Sequence, residues 1–339
     1  MLAVAKTGKG KVELVERPKP VAKGDFVVVK IHVAPMCTEF KGFQDDWTSD
    51  WFGHEAAGEV VEVAQPGGVN VGDRVVVMPQ YPCGRCALCL AGDYIHCENN
   101  IDVARFTGVS WPGTATYAQY LLKPDWLLLP IPEGMSYEHA SMACCGLGPT
   151  FGAMELMKVD AFDTVLITGL GPVGLGGVIN ARYRGARVIG ADNVPYRADL
   201  ARRLGAEAVV NPSDRDALDQ LKRLSGGVGV DKAVECSGVG AAAVQAIRAV
   251  RRKGQVTLVG ASGDFTLNGW GDVISKGLAL HGAWHWNLGD ARRIFRVIQE
   301  SGEQIDRMIT HVFPMRDIRK AWELQAAGNC GKVLLKPWE

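Results

Sequence analysis

Cys83, Cys86, Cys89 and Cys97 follow one another at C-x2-C-x2-C-x7-C spacing. Zinc favours four thiolates in a closed tetrahedron, and a tight loop can present three of them at three-residue intervals. Free surface thiols and a pair of disulfides are the competing readings. The spacing favours metal, and nine cysteines with no signal peptide at the start of the chain point to a reducing compartment, hence a cytoplasmic protein. A zinc ion held by four sulfurs has no position left for a substrate, so this stretch predicts a braced lobe and the chemistry must come from elsewhere.

Three shorter pieces offer it: Met36-Cys37-Thr38-Glu39, Gly53-His54-Glu55 and Cys144-Cys145-Gly146. Cys, His and Cys make a three-ligand zinc site with one position open for water or an alcohol oxygen. Each piece alone reads as a buried thiol or a structural histidine; their weight comes from the company they keep. A further piece is Val165–Gly174, a strand running into Gly169-Leu-Gly171-Pro172-Val173-Gly174. This G-x-G-x-x-G follows a predicted strand and opens a predicted helix, the context that dinucleotide binding needs. Gly169 allows the tight turn, Gly171 lets the backbone approach a pyrophosphate, and Gly174 lets helix and strand pack closely. The helix N-terminus, entered through Pro172 and Val173, offers free N–H groups to the phosphates. The next strand ends at Asp192, 18 residues after Gly174. A carboxylate there accepts the ribose hydroxyls and repels a 2′-phosphate, which favours NAD over NADP. Arg197 reads equally as an adenosine neighbour and as a solvated helix residue.

These residues need two kinds of scaffold. Residues 1–135 read as all-β, with short β-branched runs at Val12–Val15, Phe26–Val33, Glu59–Val63 and Arg74–Val77 between Gly, Pro and Asp punctuation. From about residue 146 strands alternate with helices: Val165–Thr168, Arg187–Ala191, Ala208–Val210, Lys232–Cys236, Gln255–Val259 and Leu278–Gly282 enclose Gly174–Tyr183, Pro195–Leu204, Arg215–Leu224 and Ala241–Val250. That rhythm predicts a parallel sheet covered on both faces. The tail carries helices near 290–300 and 315–325 and a last strand near Lys332–Lys336. At 339 residues with 47% hydrophobic and 22% charged content, the chain is long enough for two cored domains. Zero formal net charge argues against a nucleic-acid or anionic-membrane partner, and no apolar run reaches membrane-spanning length.

Taken together, the Gly-His-Glu run, the four-cysteine lobe, the Cys145-Gly146 junction, the Gly169–Gly174 motif and Gly331-Lys332-Val333 resemble the zinc-dependent medium-chain alcohol and polyol dehydrogenases, such as sorbitol, threonine and butanediol dehydrogenases, over nearly the full chain. The resemblance implies an α/β protein with two domains. One is a GroES-like β-barrel over 1–145, carrying the lobe at about 80–100 and completed by 286–339. The other is a Rossmann doubly wound parallel sheet over 146–285. It further implies catalytic zinc on Cys37, His54 and Cys145, with Cys144 as the rival third ligand, and Glu55 beside the metal. That makes two zinc ions per chain with NAD, and a homodimer or homotetramer. Gly260 and the segment Ala283-Trp284-His285 would line the nicotinamide. The family pattern has a hydroxyl residue two positions after the first ligand, as the start of a proton relay. Here Thr38 follows Cys37 at once and Glu39 takes the second place, so either can be the relay, with Lys41 where the relay often ends.

The expected activity is oxidation of a secondary alcohol or polyol by hydride transfer to NAD. The substrate is a small molecule that this sequence leaves unnamed: a sugar alcohol, a cyclitol or an amino alcohol. Trp284, His285 and Trp286 read as a pocket wall or as an oligomer contact; Trp47 and Trp51, beside Asp45, Asp46 and Asp50, read as substrate contacts or loop packing. Two alternatives stand beside this one: a metal-independent quinone or enone reductase of the same fold, and a non-catalytic NAD-binding scaffold.

Overall fold

The computed structural model describes all 339 residues. A long strand, Phe26–Pro35, organises the N-terminal half. Its sequence Phe-Val-Val-Val-Lys-Ile-His-Val-Ala-Pro is β-branched and almost wholly buried, as a strand covered on both faces must be. It pairs antiparallel with Ala56–Glu62, with Tyr120–Pro124 and, at its end, with Lys332–Lys336. Arg74–Val77 and Leu128–Pro130 extend the sheet on one side and Ile309–Pro314 on the other, for seven strands in all, six along the main path and Tyr120–Pro124 beside it. The chain's last strand thus closes against its third, and residues 309–336 belong to the N-terminal half.

Pairing register carries the site. Val33 faces Ala57 across the antiparallel ladder, so Cys37, four residues beyond, and His54-Glu55, just before, emerge at the same sheet end. Pro35 faces Leu334, and the Met36 N–H donates to Val333 O, which brings Lys332 alongside Cys37. Pro35 ends the strand, since proline has no N–H for a ladder.

In the second half, six parallel strands lie in the order third, second, first, fourth, fifth, sixth: Ala208–Val210, Arg187–Ala191, Thr164–Thr168, Val230–Glu235, Val250–Leu258 and Ala279–Gly282. This is the doubly wound dinucleotide-binding order, and its switch point falls between Thr164–Thr168 and Val230–Glu235. Helices Pro172–Tyr183, Pro195–Arg203, Ala217–Leu224 and Gly240–Ala249 cross over between strands. One further helix, Gly148–Met157, is absent from the sequence-based expectation; it packs on Pro172–Tyr183 at the junction of the halves. A buried core of 43 residues runs from Val33 and Ala57 through Phe151 and Leu175 to Ile298, so one apolar interior joins both sheets.

Candidate active site

At the sheet end, one ligand atom each from Cys37, His54, Glu55 and Cys145 lies within 4.8 Å of all the others. His54 Nε2 is 3.3 Å from Cys145 Sγ, and its other ring nitrogen, Nδ1, is 2.8 Å from Glu39 Oε1. A carboxylate 2.8 Å from Nδ1 favours the tautomer with its proton on Nδ1, which leaves the Nε2 lone pair facing the sulfurs, as a metal-binding histidine requires. The donor set is therefore chemically fit for zinc, with two thiols, one imidazole nitrogen and a carboxylate at the edge.

Several side chains position this set. Gly53, with φ +83°, precedes His54; a Cβ there would stand 2.3 Å from Thr116 Oγ1, so only glycine brings the backbone this close. Glu39 accepts from the Tyr117 hydroxyl at 2.9 Å and the Cys37 N–H at 3.1 Å. Burial works against its charge, but His54, the backbone and Tyr117 outweigh it and hold Glu39 down to about 2. Gln325, 3% exposed, donates to the Cys37 carbonyl at 3.1 Å. Glu55 and Lys332 are fully buried and form an ion pair at 2.8 Å; Glu55 also accepts the Cys145 N–H at 3.0 Å. Burial disfavours the Lys332 charge, yet Glu55 and the two cysteines beside it lift the ammonium above its ordinary value.

That buried pair braces the site. Removing one partner of such a pair leaves an uncompensated charge, at a cost of about 3–5 kcal/mol. Lys332→Met is expected to lose that much unfolding free energy in urea denaturation, and adding Glu55→Gln to it is expected to restore part of the loss. A Lys332→Met protein as stable as the parent would show that the pair contributes nothing net.

Cys145, not Cys144, joins the cluster. The Cys144 thiol is fully buried, donates to the Val77 carbonyl at 3.3 Å and is pushed up by burial. Thr38 is exposed, and its hydroxyl has no hydrogen-bond partner. Glu39 Oε2 accepts from Tyr117 and from the Cys37 N–H, and Oε1 lies 2.8 Å from His54 Nδ1, so the carboxylate is placed to orient His54. Lys41 points to solvent and forms no hydrogen bond or ion pair, so nothing ties it to a relay.

A cavity of 630 Å³ opens beside His54 and Glu39, with Trp51 and Asp50 at its wall. Trp47 lies outside it: it stacks on Phe52 and covers Gly42, because the short loop needs an apolar cap. His285, 6% exposed, is also outside that wall, packed between Tyr94 and Trp286. Trp286 donates to Ala143 O at 2.8 Å as a core residue, while Trp284 is 53% exposed.

The other four cysteines also gather. Their sulfurs are 3.5, 3.6, 3.9 and 4.0 Å apart along four edges. Zn–S bonds of about 2.3 Å give tetrahedral edges of about 3.8 Å, whereas a disulfide needs about 2.05 Å. Backbone N–H groups of Cys83 and Asn99 donate to Cys97 Sγ, as they do to a thiolate.

At the dinucleotide motif, Gly169 has φ +76°; a Cβ on Gly174 would lie 1.9 Å from Gly169 O, while one on Gly171 would meet nothing within 4 Å. The open side of Gly171 and the N-terminus of Pro172–Tyr183 form a cradle that fits a pyrophosphate. Asp192 accepts the Leu170 N–H at 2.6 Å and the Val194 N–H at 2.8 Å, one on each oxygen, which leaves lone pairs for ribose hydroxyls. Gly260 abuts Gly238 at the end of the fifth strand, and Arg197 is half-buried next to Gly328.

Known proteins resemble this chain over its whole length. Residues 24–133 match the alcohol dehydrogenase GroES-like domain and residues 172–300 the zinc-binding dehydrogenase domain. An L-threonine 3-dehydrogenase of Shewanella sp. (strain W3-18-1) is 32% identical over 348 residues, spanning 100% of this chain and 99% of the relative. The solved structure of AibC is 29% identical, with TM-score 0.81 over 99% of this chain and 95% of its own. Alcohol dehydrogenase TADH from Thermus sp. ATN1 shares the fold, with TM-score 0.88 at 24% identity over 99% of each chain.

Proposed function

The chain belongs to the zinc-dependent medium-chain alcohol and polyol dehydrogenase family, and within that family we propose an NAD-linked enzyme that oxidises a secondary alcohol to a ketone at Cys37, His54 and Cys145. The observation that carries this reading is the His54 ring, tied by Nδ1 to Glu39 and presenting Nε2 to two cysteine sulfurs beside a cavity.

When bound, zinc supplies the Lewis acidity that lets an alcohol give up its proton near neutral pH, and NAD supplies the hydride acceptor. The residues do the rest. Glu39, anchored by Tyr117, fixes the His54 tautomer. Glu55 and Lys332 hold the Cys145 backbone in place. Thr38, next to Cys37 with a free hydroxyl, takes the proton of the alcohol toward solvent. Gly169, Gly171 and Gly174 seat the pyrophosphate, Asp192 takes the ribose, and Gly260 and Trp284 lie on the nicotinamide side. Cys83, Cys86, Cys89 and Cys97 hold a second, structural zinc.

The test is an NAD reduction screen over secondary alcohols, sugar alcohols, cyclitols and amino alcohols, with metal analysis on the same sample. Two zinc ions per chain and chelator-sensitive NAD reduction are expected. Turnover with NADP alone would refute the role given to Asp192, and turnover without metal would favour the metal-independent reductase.

A further inference from the structure

Lys123 is 2% exposed and lines the same cavity as His54. It is the fourth residue of the strand Tyr120–Pro124, where an apolar residue would satisfy the packing. Its ammonium donates to the carbonyl of Gln80 and sits 4.0 Å over the Tyr81 ring. An ammonium has three donors, and an aromatic face offsets only part of the cost of burying the charge. No carboxylate pairs with Lys123. Three share the cavity wall, but each has its own partner: Asp50 pairs with Arg17 at 2.7 Å, Glu39 with His54 at 2.8 Å, and Asp102 accepts the Arg105 N–H at 3.0 Å as a helix cap.

A buried, unpaired cation in a cavity wall is a costly arrangement that an incoming anion relieves. A second group points the same way. Thr116, 2% exposed and also in the wall, holds a hydroxyl without a partner next to Gly53. It offers a hydrogen bond beside Gly53, as Lys123 offers charge beside Gln80 and Tyr81. A cavity of 630 Å³ is ample for a molecule that engages both.

We propose that the substrate is an alcohol carrying an anionic group, a carboxylate or a phosphate, which Lys123 pairs with while the hydroxyl-bearing carbon faces His54. This rests on reading the site as an alcohol dehydrogenase centre. Burial pushes Lys123 down to about 7 without an anion, so an anion that pairs with it draws the amine back to its charged form. Specificity then follows from the geometry, because a neutral alcohol leaves the ammonium unpaired.

The experiment compares matched pairs: 2-butanol against 3-hydroxybutyrate for the carboxylate, and 1,2-propanediol against its 1-phosphate for the phosphate. Wild type is expected to favour the anionic member of one pair. Lys123→Met is expected to lower kcat/KM for that member roughly 30-fold or more beyond any change for its neutral twin. Isothermal titration of the zinc-loaded protein with 3-hydroxybutyrate and with propanediol phosphate, without turnover, is expected to show the same loss of affinity. Lys123→Gln serves as a second variant should the methionine variant not fold. A purely structural lysine predicts that both members of a pair, and stability, fall together; that result, or wild-type binding of neither anion, overturns the proposal. Lys123-dependent anion binding with no NAD reduction by any alcohol supports the anion site and sinks the dehydrogenase reading alone.

Discussion

A His54→Ala variant is expected to lose about a thousandfold or more in kcat/KM while keeping its NAD affinity, and to carry one zinc per chain where the parent carries two. The separation follows from where the groups sit. His54 precedes the strand Ala56–Glu62 in the N-terminal half, whereas Gly169, Gly174 and Asp192 belong to the six-stranded sheet. Deleting the ring removes one of three proposed ligands but nothing that touches the dinucleotide cradle. It also strands Glu39, whose Oε1 lies 2.8 Å from His54 Nδ1. Glu39→Gln should therefore be milder, at about 10–100-fold, because it releases the ring orientation without removing the ligand. A His54→Ala protein with normal turnover, or with its zinc content unchanged, would exclude the proposed catalytic metal site.

Much of this was readable in the sequence because motif and register coincide. The Gly169–Gly174 motif could be placed since a strand leads in and a helix leads out, and the four-cysteine spacing needs only local geometry. The ligand triplet was harder: Cys37 and His54 meet only because Phe26–Pro35 pairs with Ala56–Glu62 in one register. In the sequence Lys332 stands out only as part of the Gly331-Lys332-Val333 signature. A lysine starting the strand Lys-Val-Leu-Leu-Lys looks solvent-bound, and its burial depends on Leu334 of the same strand pairing with Pro35, almost the whole chain away. Tyr117 and Gln325 carried no signal for the same reason. The helix Gly148–Met157 has no plain signal, since glycine at 148 and 152 disfavours a helix. In the structure they permit close approach: a Cβ on Gly148 would lie 2.8 Å from the Trp286 ring, and one on Gly152 2.3 Å from His285 O. Glu39 keeps two readings in the sequence for a chemical reason, since a carboxylate next to a metal ligand serves equally as relay or as ligand support.

Cys89→Ser is the second large effect, and the fold makes it reach further than the lobe. The four cysteines do not sit on an isolated excursion. Cys89 and Cys97 belong to the 43-residue core, together with Tyr94 and Ile95 from the same loop. Asn287 ties the lobe down by donating to Ala91 O at 2.7 Å and Asp93 Oδ1 at 2.8 Å, and the Leu288 N–H donates to Gly92 O. Tyr94 is fully buried, edge-on to His285 at 6.4 Å, so the lobe inserts an aromatic ring behind the segment that follows the last strand of the dinucleotide sheet. Structural zinc supplies about 10–16 kcal/mol in small zinc-finger peptides; here, where the surrounding core also holds the loop, a loss on the order of 5 kcal/mol is expected. Cys89→Ser should then bind one zinc fewer, unfold at lower temperature and lose activity together with stability, although no substrate reaches that metal. Tyr94→Ala tests the coupling: it leaves all four cysteines in place and is expected to lower activity, because it empties the space behind His285. If Cys89→Ser sheds its zinc yet melts and turns over like the parent, the lobe is a surface appendage and Tyr94 does not couple it to the active site.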